Sequence, residues 1–296
     1  MNDFSLTIHG GAGALLPSDG YAESLRRIVD SGARLLASGG SALDAVSHCV
    51  ALLEDDPLYN AGRGAVLDAE GEVRLDASIM DGRNLAAGAV AGVRGVKNPV
   101  LLARAVMERT PHVLLIGTGA ENFGRAQGAL FERPEYFLTE RRVRELAAIK
   151  RRGADDAGTP MGTVGAVARD RWGDLAAATS TGGLAGQLGG RVGDSPIIGA
   201  GAVADNASCA VSCTGAGEHF IKTSLARMAA FNIEFRNMQA LDAARETLRY
   251  LVDRIGGVGG FILVDRHGRC AQAHSTPGML FAKIENGEIV VRMKSE

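Results

Sequence analysis

A threonine hydroxyl is a weak nucleophile and needs a base beside it. One arrangement supplies that base from the same residue. A threonine at a chain start carries a free α-amine of unperturbed pKa about 8, close enough to neutrality to accept the hydroxyl proton. Gly162-Thr163 has the features such a residue would require. Thr163 is internal, so the bond before it must first be cut, and Gly162 offers little hindrance to attack on its carbonyl. The segment 150–160 before it is polar and rich in breakers, and reads as an exposed, mobile linker. The strand-like run 164–170 after it would hold the threonine rigidly. The cut would be an N→O acyl shift, in which the Thr163 hydroxyl attacks the Gly162 carbonyl and water hydrolyses the resulting ester. Alone, the dipeptide reads more simply as a strand start, where β-branched residues are common.

Its neighbours change that reading. MGTVGAV at 161–167, TSTGG at 179–183, GRVGDSP at 190–196 and SCTGAGE at 212–218 follow in order, and HGGAG at 9–13, LYNAGRGAV at 58–66 and DASIMDG at 76–82 precede them. The series resembles the plant-type L-asparaginase/isoaspartyl peptidase family of N-terminal nucleophile hydrolases, over most of the chain. The resemblance implies one domain, 1–296, cut into an α subunit (1–162) and a β subunit (163–296), with two αβ units forming a dimer. It implies hydrolysis of L-asparagine, of β-aspartyl dipeptides, or of both. By the same resemblance Thr163 is the nucleophile, with Thr181 and Asn60 beside it. Arg191 and Asp194, in a loop with Val192 and Gly193, would grip the substrate's α-carboxylate and α-ammonium. Thr214 and Gly215 would form the oxyanion hole, with Ala216 and Gly217 lining the site.

These roles suit the residue types. A free amino-acid head group carries both charges, so its recognition favours a cation and an anion close together, and the arginine fork matches a carboxylate. An oxyanion hole needs a fixed hydroxyl and a backbone N–H, which Thr214-Gly215 at a strand end can offer. The family also carries a structural sodium ion on main-chain carbonyls, matching Leu53, Glu54, Asp56, Tyr59, Ala61 and Arg63 here. The chain departs from the family in Gln187, where lysine is common, in AHSTPGM at 273–279, and in a shorter linker. Glycosylasparaginase and a taspase-like threonine endopeptidase are the alternatives within the superfamily. The GTVGAV start and the GRVGDSP loop favour the plant type.

The elements that must position these residues alternate on both sides of the linker. A short strand at 5–9 runs into GGAG. Apolar residues near a 3.6 period mark helices at 22–36 and 41–53, the second with Ser41 as N-cap and Asp44 at N3. The stretch 66–78 reads as a hairpin around Glu70-Gly71, followed by a buried strand in AAGAVAGV, a helix at 100–108, a strand at 112–117 and two helices to about 150. After the linker come strands at 164–170 and 175–181 joined through Trp172-Gly173-Asp174. A glycine-rich loop at 182–202, a strand near 210–213, helices near 217–231 and 238–254, and strands near 260–265, 270–275 and 284–291 complete the chain. This order suggests an α/β layered fold, an αββα sandwich of two mainly antiparallel sheets between helical layers.

Composition excludes other classes. The formal charge is −2 from 32 basic and 34 acidic residues, which gives no reason to expect nucleic acid or an acidic membrane as partner. Forty glycines, about twice the usual share of about 7%, show no G-X-Y period and point to tight turns and close backbone approaches. Cys49, Cys209, Cys213 and Cys270 form no CxxC pair and read as reduced thiols of a cytoplasmic protein. No secretory signal or membrane span is expected. The six histidines lack metal-ligand spacing, so no catalytic cofactor is called for. Two rivals from other classes are an unprocessed, non-catalytic protein and a nucleotide-binding one. GGAGAL lacks the GK[ST] of a phosphate loop, and the GxGxxA match at 199–204 lacks a clear βαβ unit.

Overall fold

The computed structural model describes residues 4–13, 19–152 and 162–293. Its strands are β1 (Ser5–Gly13), β2 (Leu75–Asp81), β3 (Ala87–Val93), β4 (Leu114–Ile116), β5 (Val164–Arg169), β6 (Leu175–Thr181), β7 (Ala202–Ala204), β8 (Cys209–Gly215), β9 (Gly259–Asp265), β10 (Cys270–His274), β11 (Gly278–Glu285) and β12 (Glu288–Arg292). Its helices are α1 (Asp19–Ala37), α2 (Ala42–Asp55), α3 (Pro99–Arg109), α4 (Gly117–Ala126), α5 (Pro134–Phe137), α6 (Glu140–Arg152), α7 (Gly217–Thr223), α8 (Leu225–Glu234) and α9 (Ala240–Ile255). Local signals set several boundaries. Ser41 caps α2 by accepting the Asp44 N–H at 3.1 Å, Pro99 opens α3, and Gly256 closes α9 in the left-handed conformation.

The strands form an eight-stranded sheet, ordered β12-β11-β1-β5-β6-β2-β3-β4, and a four-stranded sheet, ordered β10-β9-β8-β7. All pairings between these strands are antiparallel except β3 with β4. Helices α1, α2 and α3 pack on the outer face of the large sheet, and α8 and α9 on that of the small one. β1, β5 and β6 pack directly on β8 and β9. This is the αββα sandwich expected. It explains why β6 is buried along its whole length: one face meets α2 and the other meets the second sheet. Alternate residues of β5 accordingly serve different cores, with Val164, Ala166 and Ala168 under the helices and Val167 between the sheets.

Several expected elements are corrected. The stretch 66–78 turns where expected, with Asp68 N–H to Glu72 O at 2.9 Å across the turn, but it is no hairpin of two strands, since only its end lies in β2. The arm before the turn also bonds to the glycine-rich loop, through Gly186 N–H to Leu67 O and Ala69 N–H to Gln187 O (both 2.8 Å). The stretch 284–291 is not one strand, because Asn286 and Gly287 both take positive φ and fold β11 back onto β12. The helix expected at 217–231 breaks at Ser224, whose φ is +48. Three helices rather than two lie between 117 and 152, and β1 runs through the GGAG segment with an irregularity between His9 and Gly11. Residues 150–152 close α6, and the rest of the linker to 161 lies outside the described residues. The 199–204 segment turns into a three-residue antiparallel strand with no helix after it, which removes the dinucleotide reading.

Candidate active site

Thr163 stands immediately before β5 and is 8% exposed. Its hydroxyl donates to Thr181 Oγ1 on the neighbouring strand at 3.2 Å, and Thr181 Oγ1 also accepts the Gly183 N–H at 3.0 Å. Both lone pairs of Thr181 are thereby used, and its own proton is left uncommitted.

The peptide before Thr163 is clamped from two sides. Gly162 adopts φ +116, a conformation that costs glycine little and other residues more. Its carbonyl accepts the Asn60 main-chain N–H at 3.2 Å. Gly11 of β1 approaches so closely that a Cβ there would lie 2.6 Å from Gly162 Cα. The Asn60 side chain is itself committed. Its Nδ2 donates to Gly183 O at 2.8 Å and its Oδ1 accepts from Val66 N–H at 2.9 Å. Asn60 therefore joins the Gly162 carbonyl to the loop after Thr181.

That loop leads to the charged groups. Arg191 is held side-on by Glu218, with Nε to Oε1 at 2.9 Å and Nη2 to Oε2 at 3.0 Å, and its Nη1 donates to Gln187 Oε1 at 3.3 Å. The bond to Arg191 keeps Glu218 below the usual carboxylate range. Gly217 lies between Arg191 and Asp194: a Cβ there would meet Asp194 Oδ1 at 2.7 Å and Arg191 Nη2 at 3.1 Å. Asp194 is buried, and its Oδ2 has no partner among the described residues. Burial pushes its pKa up to about 7, against the pull of Arg191 and with Glu218 and Asp76 adding repulsion. An orphaned buried carboxylate oxygen beside an arginine is ready to receive an ammonium group. Gly193 is buried beside Arg191 and Val192 is half-buried.

Thr214 is fully buried near the end of β8, and its Oγ1 accepts the Ala12 N–H at 3.2 Å. Gly215 follows with φ +151, and a Cβ there would lie 2.5 Å from Gly259 Cα, so the strand end admits only glycine. Ala216 is half-buried and leads into α7.

The motifs read from the sequence thus converge. Thr163 touches Thr181, Asn60 holds Gly162, Arg191 and Asp194 flank Gly217, and the β1 segment that crosses Gly162 also engages Thr214. Sequence reasoning missed two carboxylates. Glu218 lies inside the SCTGAGE motif but was given no partner. Asp76, opposite Thr181 on β2, accepts the Gly92 N–H at 2.7 Å and is raised to about 6 by burial, with Arg191 opposing. Charge spacing along the chain could not reveal it, because 115 residues separate it from Arg191.

The residues matched to a sodium ion lie at the end of α2 and in the turn after it. The backbone closes tightly here: a Cβ on Gly62, φ +49, would sit 2.4 Å from Glu54 O. Among the described residues no group of three or more His, Cys, Asp or Glu side chains could hold a metal ion.

A family model described as "Asparaginase" matches residues 2–292. The chain is 48% identical to an isoaspartyl peptidase of Salmonella typhimurium, covering 94% of each protein. It is 47% identical to an isoaspartyl peptidase of Escherichia coli, covering 94% of this chain and 92% of the relative. It is 44% identical to an isoaspartyl peptidase/L-asparaginase of Mus musculus, covering 96% of this chain and 89% of the relative.

Proposed function

We propose a reaction for this chain from an established premise: it belongs to the asparaginase family and is a hydrolase. The substrates are L-asparagine and β-aspartyl dipeptides, and the nucleophile is Thr163 after cleavage of the Gly162–Thr163 bond. The freed α-amine takes the Thr163 hydroxyl proton, and Oγ1 attacks the side-chain amide carbon. The Thr214 hydroxyl and Gly215 N–H receive the developing oxyanion. The amine returns its proton to the leaving nitrogen, which departs as ammonia or as the amine of the released amino acid. Water, deprotonated by the same amine, then hydrolyses the β-aspartyl ester and frees aspartate. Arg191 and Asp194 hold the α-carboxylate and α-ammonium throughout.

One observation carries this reading. The Thr163 hydroxyl meets Thr181 at the head of a buried strand, directly after a glycine whose carbonyl is held by Asn60. The reading extends to two αβ units pairing into a dimer, which light scattering would test, and to a sodium ion on the carbonyls of Leu53, Glu54, Asp56, Tyr59, Ala61 and Arg63, where it would rigidify the loop that carries Asn60. The four free cysteines fit a cytoplasmic setting. Among the described residues no helix is long and apolar enough to cross a membrane.

Denaturing electrophoresis with intact mass tests the core of the proposal. Wild type should yield a chain spanning 163–296 that begins with threonine. Thr163→Ala should stay full length and hydrolyse neither substrate. A wild type that stays intact yet turns over β-aspartyl dipeptides would remove the N-terminal amine from the mechanism.

A further inference from the structure

In the HGGAG motif Gly11 serves the approach to Gly162 and Gly10 that of Tyr59, but the histidine takes no part in the reaction above. His9 is wholly buried, with Nε2 2.8 Å from Ser212 Oγ. Ser212 Oγ lies 2.7 Å from Thr179 Oγ1, and Thr179 reaches the Gly201 carbonyl at 3.4 Å. All three side chains are fully buried between the two sheets, among apolar neighbours such as Val167, Ala177 and Ile262. Burial pushes the imidazole down to about 3, with the Thr163 main chain beside it pulling the other way, so the ring is neutral at any working pH. Its Nδ1 is buried with no partner among the described residues.

The placement of this line is its most informative property. Successive side chains on a strand alternate faces, so residues two apart are neighbours on one face. Thr179 is two residues from Thr181 on β6, and Ser212 is two from Thr214 on β8. His9 is opposite Gly165 in the β1–β5 ladder, two residues beyond Thr163. Gly165 leaves room for the line: a Cβ there would lie 1.9 Å from Ser212 Oγ and 2.6 Å from His9 Nε2. The hydrogen-bonded row therefore lies one step along the strands from Thr163, Thr181 and Thr214; it joins β6 and β8, which carry Thr181 and Thr214, to β1, and passes over β5, which carries Thr163, at Gly165.

Resting on the assignment of Thr163 as nucleophile, we propose that His9, Ser212 and Thr179 are positioning residues that fix the register of the three catalytic threonines across the two sheets. A buried row of side-chain hydrogen bonds selects one geometry where an apolar contact would tolerate sliding. The line acts on the alignment of nucleophile and oxyanion donors and leaves the head-group site alone, so its loss appears in kcat and not in KM.

The test compares Ser212→Ala, Thr179→Val, their double variant and Thr179→Ser, with kinetics on the processed fraction and melting temperature measured for each. Ser212→Ala and Thr179→Val should each lower kcat at least tenfold with KM changed less than twofold. Thr179→Ser, which keeps the hydroxyl, should recover most of the loss. The double variant should be no slower than the slower single, because both cut one line. Should Ser212→Ala fail to fold, the Val and Ser variants at 179 decide alone. Losses in KM, multiplicative losses in the double, or wild-type kcat in Thr179→Val would overturn the proposal. Thr163→Ala run in parallel separates the two readings. If it still turns over substrate, the nucleophile assignment fails; if it is inactive while Thr179→Val is normal, only the positioning row fails.

Discussion

Replacing Thr214 by valine separates the job the structure gives its hydroxyl, holding the Ala12 N–H, from the oxyanion role proposed for it. Valine keeps the β-branch and nearly the volume of a side chain that is fully buried, so packing is spared. The lost oxygen accepts the Ala12 N–H at 3.2 Å, which leaves its own proton free to donate. Removing one oxyanion donor typically costs about 2.7–4 kcal/mol of transition-state stabilisation, or about 10²–10³ in kcat. Leaving the buried Ala12 N–H unsatisfied costs about 1–3 kcal/mol of stability. At roughly 2–4 °C per kcal/mol for chains near this size, the melting temperature should fall by roughly 2–12 °C. Thr214→Ser keeps the oxygen and should stay within about tenfold of wild type in kcat. The assay is ammonia release at saturating asparagine, normalised to the chain that begins with Thr163. KM should change less than about threefold, because Arg191 and Asp194 are untouched. A kcat loss below tenfold, or one confined to KM, would leave Thr214 as a partner of Ala12 and nothing more.

Three other outcomes are expected. Gly162→Ala, which needs φ +116 and brings a Cβ within 2.6 Å of Asn60 Cβ, should slow processing in a time course on denaturing gels, while the fraction that is cut keeps normal kcat. Glu218→Ala frees the side of the Arg191 guanidinium and should raise KM about tenfold with kcat little changed, since Glu218 supplies two charge-assisted bonds that orient the fork; an unchanged KM would mean that Arg191 is aligned without it. Asp194 titrates near 7, above its ordinary range, so its charge and the ammonium grip are lost as pH falls through about 7 and kcat/KM should fall with them. The same raised value means that its favourable contribution to folding is complete at acid pH and lost as pH rises through 7. Asp194→Asn should therefore melt higher than wild type at pH 8 while binding substrate poorly, and an equal or lower melting temperature at pH 8 would contradict the assignment.

How far the sequence could be read depended on where each backbone group finds its partner. β5 and β6 were legible because turn and strand are contiguous, with Trp172 and Gly173 between two apolar runs. The hairpin expected at Glu70-Gly71 stopped at its turn because Leu67 and Ala69 bond to a loop more than 110 residues later, which no local pattern records, and only Asp68 bonds back across the turn. Asn286-Gly287 did carry a hairpin signature, but the apolar residues on either side merged into one run. In the site, Thr163, Arg191 and Asp194 had recognisable neighbours in the chain. His9 stood in the HGGAG motif with no role attached to it: a lone histidine on an apolar strand usually reads as a core residue, and only the stacking of β8 on β1 and β6 shows what its Nε2 meets.

The order of the large sheet carries one more consequence. Strands from before residue 162 (β1, β2, β3, β4) and after it (β5, β6, β11, β12) alternate in blocks across it, with β1 between β11 and β5 and β2 against β6. The second piece keeps the small sheet whole, but the large sheet belongs to neither piece alone, so cutting the chain does not make two domains. It turns a molecule that refolds alone into one that must find a second strand-bearing fragment in solution. Refolding of the cut protein becomes bimolecular, and its melting temperature should depend on concentration in a way that the uncut Thr163→Ala chain, compared in the same oligomeric state, does not share. Cleavage before Thr163, as proposed, would make the native state a one-way inheritance from a single-chain precursor, easy to reach once and hard to reach again after dilution.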